Sequence, residues 1–255
     1  MSRQERLICL PKQSLVAVVA ASALAVVGLG LAAADAPKAG SAASAAELAA
    51  AAEEVIKAFD AKLGDEDAAR KGSILALLAN AVAEAEGEAK WKSNALAVRD
   101  AAIALSKGAK SQATVDKQVR EIKGLIQGGK GAEGKPMKYL EIASLEHVMK
   151  EVNDISRPMT KNLRGTLFAK NKDQVARDAQ VWAVLAAVAC TDTKSAVTAK
   201  KPQADFEKYA DEFFNSAKGL AAAAKKGDQS AASEAHKAVR KACADCHAVY
   251  RPDIE

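Results

Sequence analysis

The chain has 255 residues, of which 49% are apolar but only 4% aromatic, and its formal net charge is +5. Much of the apolar fraction is alanine, which favours helix and buries little area, so the composition suits helices packed closely through small side chains. Arg3, Arg6, Lys12 and Glu5 account for a net +2, and the remaining +3 is spread along the chain, too thin for a nucleic-acid-binding surface.

A basic start is followed by an uncharged apolar run, Leu15 to Ala34. Ala32-Ala33-Ala34 and Ala34-Asp35-Ala36 both fit an A-x-A cleavage pattern. Residues 1–34 therefore read as an export signal cleaved near 34–36, which directs the protein to the periplasm. If retained, the same run is long enough to anchor the chain in a membrane, and only then is a membrane contact expected. Cys9 precedes the run, leaving Cys190, Cys243 and Cys246, an odd set that cannot pair fully in an oxidising compartment. Cys190 follows the apolar stretch Val184 to Ala189 and reads as a small buried core residue.

Residues 35–46, mostly Ala and Ser with single Gly, Pro and Lys residues, read as a flexible spacer. Four glycines and Pro136 within 128–136 exclude helix and strand there, so 128–137 reads as a linker. On either side the chain predicts four helices, near 47–63, 67–87, 91–107 and 112–127, then near 139–155, 171–190, 203–226 and 229–250. Gly64, Gly87, Gly108, Pro158, Pro202 and Gly227 mark the breaks. The expected fold is all-α: two tandem four-helix bundles, 47–127 and 138–255, with short loops making neighbours antiparallel. No Cys or His occurs in the first bundle, so it is expected to hold no cofactor and to serve packing or docking.

Cys243-Ala244-Asp245-Cys246-His247 is a C-x-x-C-H motif, the attachment pattern for a c-type haem. Two thiols add across the haem vinyl groups, and the adjacent imidazole reaches the iron. On a helix, Cys243 and His247 lie one turn apart with Cys246 beside them, so all three address one flat ring. The motif occurs once, which predicts one haem c per chain. A structural zinc site and a redox dithiol are the alternatives. His236 lies eleven residues before His247 on the same face but about 16 Å away along the axis, too far to share a metal with it. A redox C-x-x-C normally opens a helix after a strand, whereas this one closes a helix.

The stretch Cys243 to Arg251 resembles the C-terminal C-x-x-C-H-x-x-[YF]-[RK] signature of class II c-type cytochromes, the cytochrome c-prime group. The resemblance covers about 139 to 255 and implies a four-helix bundle with the haem motif in its last helix. Many members also carry R-x-x-x-M-K in the first helix, where the Met or its replacement faces the iron. Here Met149 and Lys150 match, and Leu145 stands in place of the Arg. The resemblance thus implies His247 as one axial ligand, Met149 as candidate distal ligand, and Tyr250 and Arg251 beside the ring. Leu145 and Val152 share the Met149 face and would wall the pocket with hydrocarbon. His147, two residues from Met149, points elsewhere and reads as a surface or capping residue, and His236 reads as a polar core or partner residue.

The expected function is electron transfer with redox partner proteins, by a protein that is not an enzyme. An open iron face binding nitric oxide or carbon monoxide is the second reading, and a structural zinc protein the third. A homodimer is compatible with the resemblance, since class II proteins often pair through their first two helices.

Overall fold

The structure is a computed structural model and describes residues 37–131, 134–135, 137–191 and 203–251. The expected export signal and the Pro202 break lie outside these residues. Among them, every regular element is helical. The α-helices are α1 (Ala45–Lys57), α2 (Asp65–Glu84), α3 (Ala95–Gly108), α4 (Gln112–Ile126), α5 (Tyr139–Ile142), α6 (Leu145–Asn162), α7 (Gly165–Thr191), α8 (Gln203–Lys226) and α9 (Gln229–Tyr250).

Short polar side chains start several of them. Ser44 donates its backbone N–H to Glu47 Oε2 at 3.0 Å ahead of α1. The hydroxyls of Ser111 and Ser144 accept from the N–H groups of Thr114 and His147 ahead of α4 and α6, and Asp228 accepts from Ala231 ahead of α9. Each cap satisfies an N–H that the helix itself cannot.

Two helices depart from simple amphipathicity. In α2 every residue from Gly72 to Val82 is buried, and in α7 every residue from Ala179 to Cys190 is buried. A helix apolar on all sides must be surrounded. Accordingly α2 packs on α1, α3 and α6 and also touches α7, while α7 packs on α6, α8 and α1. The two sets of helices lie side by side in one compact unit from Asp35 onward, and this packing makes α2 and α7 interior helices.

Several local expectations need correction. The segment 35–46 is not a free spacer where it is described: it forms a 3₁₀ turn, Ala39–Ser41, that packs on α2 and α7, with Ala39, Ala42 and Ala45 buried. Small side chains allow that close approach, and the same composition reads as flexible in sequence. The described part of 128–137 is a strap rather than a swinging linker. Asn94 Nδ2 donates to the Gly129 carbonyl at 2.7 Å, and a Cβ on Gly131 or Gly134 would fall 2.3 or 2.4 Å from the Cβ of Ala97 or Leu96. The glycines there serve close contact with α3. Ala132, Glu133 and Pro136 lie outside the described residues.

The helix expected near 139–155 is two helices. Ser144 is extended and caps α6, so the chain breaks between Ile142 and Leu145. Beyond it, α6 runs through Pro158 to Asn162. Pro158 and Asp154, whose carbonyl loses its helical donor to the proline, are both exposed residues, while Val148, Glu151, Ile155 and Met159 keep a buried stripe on the other side.

The close α2–α3 approach makes a test. A Cβ on Gly72 would sit 2.6 Å from Leu105 Cδ2 and 2.9 Å from Ser106 N. Ala is intrinsically the better helix former, yet Gly72→Ala is expected to destabilise by about 1–3 kcal/mol because α3 must move. Thermal unfolding of the variant checks this; a raised melting temperature would refute it.

Candidate functional site

Helix α9 carries one continuous stripe of buried and half-buried residues, Ala232, His236, Val239, Ala242, Cys243, Cys246 and Tyr250. The 3–4 spacing keeps them on one face. The half-buried side chain of His247 adjoins Cys246. The backbone N–H of Arg251 donates to the His247 carbonyl at 2.8 Å and completes the last turn.

Opposite this stripe α6 presents Leu145, Met149, Val152 and Ser156, again at 3–4 spacing and all half-buried or on the rim. Between α6 and the pair α8–α9 lies a cleft. Its inner chamber, about 220 Å³, is lined by Met149, Val152, Trp182, Phe213, Cys243 and His247 among others. Met149, Phe206, Cys246 and His247 also line an outer chamber of about 880 Å³, whose rim includes Leu145, Tyr250 and Arg251. The structure therefore brings all eight sequence-nominated residues, Cys243, Cys246, His247, Met149, Leu145, Val152, Tyr250 and Arg251, to one cleft from two helices.

The two other histidines stay out of its lining. His147 turns to α2, with Nδ1 3.0 Å from Ser73 Oγ. His236 is 7% exposed and stacks on Trp182, with ring centroids 5.9 Å apart and planes within 5°. Cys190 is buried, as expected of a core thiol.

The wall that sequence reading missed, apart from Tyr250, is aromatic. Trp182, Phe206, Tyr209, Phe213 and Tyr250 line the chambers, half of a chain's complement of two Trp, three Tyr and five Phe. The scarcity of aromatics is itself the usable signal: Phe206, Tyr209 and Phe213 recur at helical spacing on α8 and mark a face built for something larger than alanine. Trp182 also ties α7 to α6, its indole N–H donating to the Val152 carbonyl at 3.2 Å.

Electrostatics separate the alternatives for the two thiols. Cys243 is pushed up to about 11 by burial and by Cys246, and Cys246 to about 11 by burial. A dithiol built for disulfide exchange needs the opposite shift, toward thiolate. Among the described residues no group of three or more His, Cys, Asp and Glu is placed to hold a metal ion. His247 is lowered by burial and by Arg251, which favours the neutral imidazole that serves as a metal ligand.

The cytochrome c′ family model matches residues 141–251. This segment belongs to the cytochrome c′ family. No curated protein and no solved structure matches the chain. The cytochrome c′ match over this segment supports a c-type haem protein, a family in which the haem is held covalently. The residues present fit that group. Two free thiols and a neutral-leaning imidazole share a cleft whose remaining lining is mostly hydrocarbon and aromatic, the environment that an apolar macrocycle requires.

Behind the cytochrome c′ cleft, α6 rests on a charged layer. Arg70 Nη1 lies 2.6 Å from Glu151 and 2.5 Å from Asp154, and Lys71 Nζ lies 2.6 Å from Glu151. Burial alone would lower Arg70, but Asp67, Glu151 and Asp154 outweigh it and hold it above its ordinary value. Nearby on α7, Asp178 is raised to about 6, chiefly by burial, with the Glu151 charge adding to it against Gln174, Arg177 and Lys71.

A carboxyl at about 6 when folded and 3.8 otherwise binds its proton more tightly in the native state. Its contribution favours folding at low pH and is lost as pH rises from 3.8 through about 6. Asp178→Asn, which still accepts from Gln174, is expected to raise the melting temperature at pH 7 and to have no such effect at pH 3.5 or below. A gain that is constant across pH would mean that the carboxylate charge is not its source.

Proposed function

We propose that the protein is an exported electron carrier, with Cys243 and Cys246 as the haem thioether sites, His247 as one axial ligand and Met149 as the other. The observation that carries this reading is that Met149 on α6 and His247 on α9 line both chambers of one cleft from facing helices. When bound, haem c supplies a one-electron Fe(III)/Fe(II) couple.

The chain's own residues do the rest. Val152, Trp182, Phe206 and Phe213 exclude water from the inner chamber, Leu145 walls the outer one, and a low-dielectric surround favours the less charged state. A thioether opposite an imidazole raises the reduction potential further. Arg251 and Lys150 stand at the outer rim beside Glu146, where a redox partner protein would approach. On this reading the protein is a carrier and not an enzyme. Export is supported by the character of residues 1–34 and by the family assignment. Among the described residues no helix is long and apolar enough to cross a membrane.

The cofactor number follows from the single motif. Denaturing mass analysis of protein made with a c-type maturation system is expected to give the processed chain plus one haem that resists acid extraction. Two haems, or none, would overturn the assignment of Cys243 and Cys246.

The ligand set has its own test. Wild-type protein is expected to be low-spin in both oxidation states and slow to bind carbon monoxide. Met149→Leu keeps side-chain volume and removes the sulfur, and is expected to give a high-spin spectrum with rapid carbon monoxide binding. A wild type that is already high-spin and binds carbon monoxide readily would replace this reading with an open, gas-binding iron.

A further inference from the structure

Helix α6 is a wall with two faces. Leu145, Met149, Val152 and Ser156 face the cleft. On the other side, His147, Glu151 and Asp154, again spaced by four and three, meet α2. Three near-consecutive α2 residues receive them. Arg70 reaches Glu151 at 2.6 Å and Asp154 at 2.5 Å, so one guanidinium spans two carboxylates about one turn apart. Lys71 reaches the second oxygen of Glu151 at 2.6 Å, and Ser73 Oγ lies 3.0 Å from His147 Nδ1. At the outer end, Lys150 pairs with Glu66 of α2 as well as with Glu146.

The central pair is sealed, with side-chain exposure of 7% for Arg70 and 3% for Glu151. Sealing makes the contact geometrically demanding. A buried ion pair gains little net stability, but separating its members leaves uncompensated charge in low dielectric, so displacement is steeply opposed. An apolar face alone would let α6 slide and rotate by small steps. The charged layer allows one rotation and one height.

We infer that Arg70 and Glu151 are positioning residues for the haem site: the N-terminal helices set the placement of α6, and through it the distance from Met149 to the iron side of the cleft. This rests on the proposed Met149 ligation, and it gives the haem-free helices 45–126 a function beyond filling space. Cys243, Cys246 and His247 belong to the C-terminal helices, but the position of the distal wall is fixed from outside them.

The test uses the full-chain, haem-loaded protein. In the Arg70→Met, Glu151→Leu double variant the buried pair is replaced by hydrocarbon of similar size, a change that is often neutral or better for stability. Folding is expected to persist, with backbone hydrogen exchange over 145–156 faster by about tenfold. A high-spin fraction should appear, the reduction potential should fall, and carbon monoxide binding should quicken by a similar factor. Arg70→Lys keeps the charge but cannot span both carboxylates. It is expected to shift the same readings less, and it decides the matter if the double variant does not fold. If folded variants match wild type in spectrum, potential and carbon monoxide binding, the inference is wrong, whether or not exchange has quickened. Met149→Leu in the native background separates the two ideas. Should it leave the spectrum unchanged, the ligand reading fails, and exchange together with carbon monoxide access still judges the brace. Should it convert the spectrum while the brace variants change nothing, the brace alone fails.

Discussion

Residues 72–82 of α2 and 179–190 of α7 are buried on every side, and that constraint shapes the molecule. A member of an isolated four-helix bundle buries one broad stripe and leaves the opposite face to water. Leu75, Leu77, Leu78 and Val82 on α2, and Val181, Trp182, Val184, Leu185 and Val188 on α7, leave no such face. Each helix must have neighbours all round, and each set of helices supplies part of the other's cover. The 3₁₀ turn at Ala39–Ser41, packed on both α2 and α7, closes a further side.

From that packing the cytochrome c′ cleft acquires its asymmetry. Helix α9 leans on α8, and α8 on α7, so the thiol and imidazole side of the cleft is held within the C-terminal helices. Helix α6 is held on α7 and on α2, and so belongs to both sets. The cleft opens between an α9 wall built by local helical spacing and an α6 wall set by contacts more than seventy residues distant in sequence, Arg70 with Glu151 and Ser73 with His147. Its lining combines the chain's few large aromatic rings with alanine, valine and methionine, which leaves room between helices while excluding water. The stacked pair of Trp182 and His236 fills the layer beneath, where Trp182 also reaches the Val152 carbonyl.

The C-terminal helix and its chemistry were legible before any folding was considered, because they are local. Cys243, Cys246 and His247 are separated by three and one residues, and helical periodicity alone puts them on one surface. The same periodicity grouped Leu145, Met149 and Val152, and it placed the four α-helices of the N-terminal set, though α1 stops at Lys57 and not near residue 63. Boundaries failed where a neighbour overruled local preference. Pro158 reads as a helix stop, yet α6 continues through it with the proline on the exposed side and a buried stripe opposite; Gly131 and Gly134 read as flexible, yet α3 holds them by close contact.

By itself the sequence determined an all-helical chain, the attachment motif, and which face of each amphipathic helix would be buried, since those depend on spacing within a single element. Only the tertiary structure decided that the two sets of helices share interior helices, that aromatic rings from α7 and α8 line the cleft, and that Glu151 is buried against Arg70 behind Met149. Such facts depend on which surfaces meet, and an apolar or charged face carries in its own sequence no mark of the partner that will cover it.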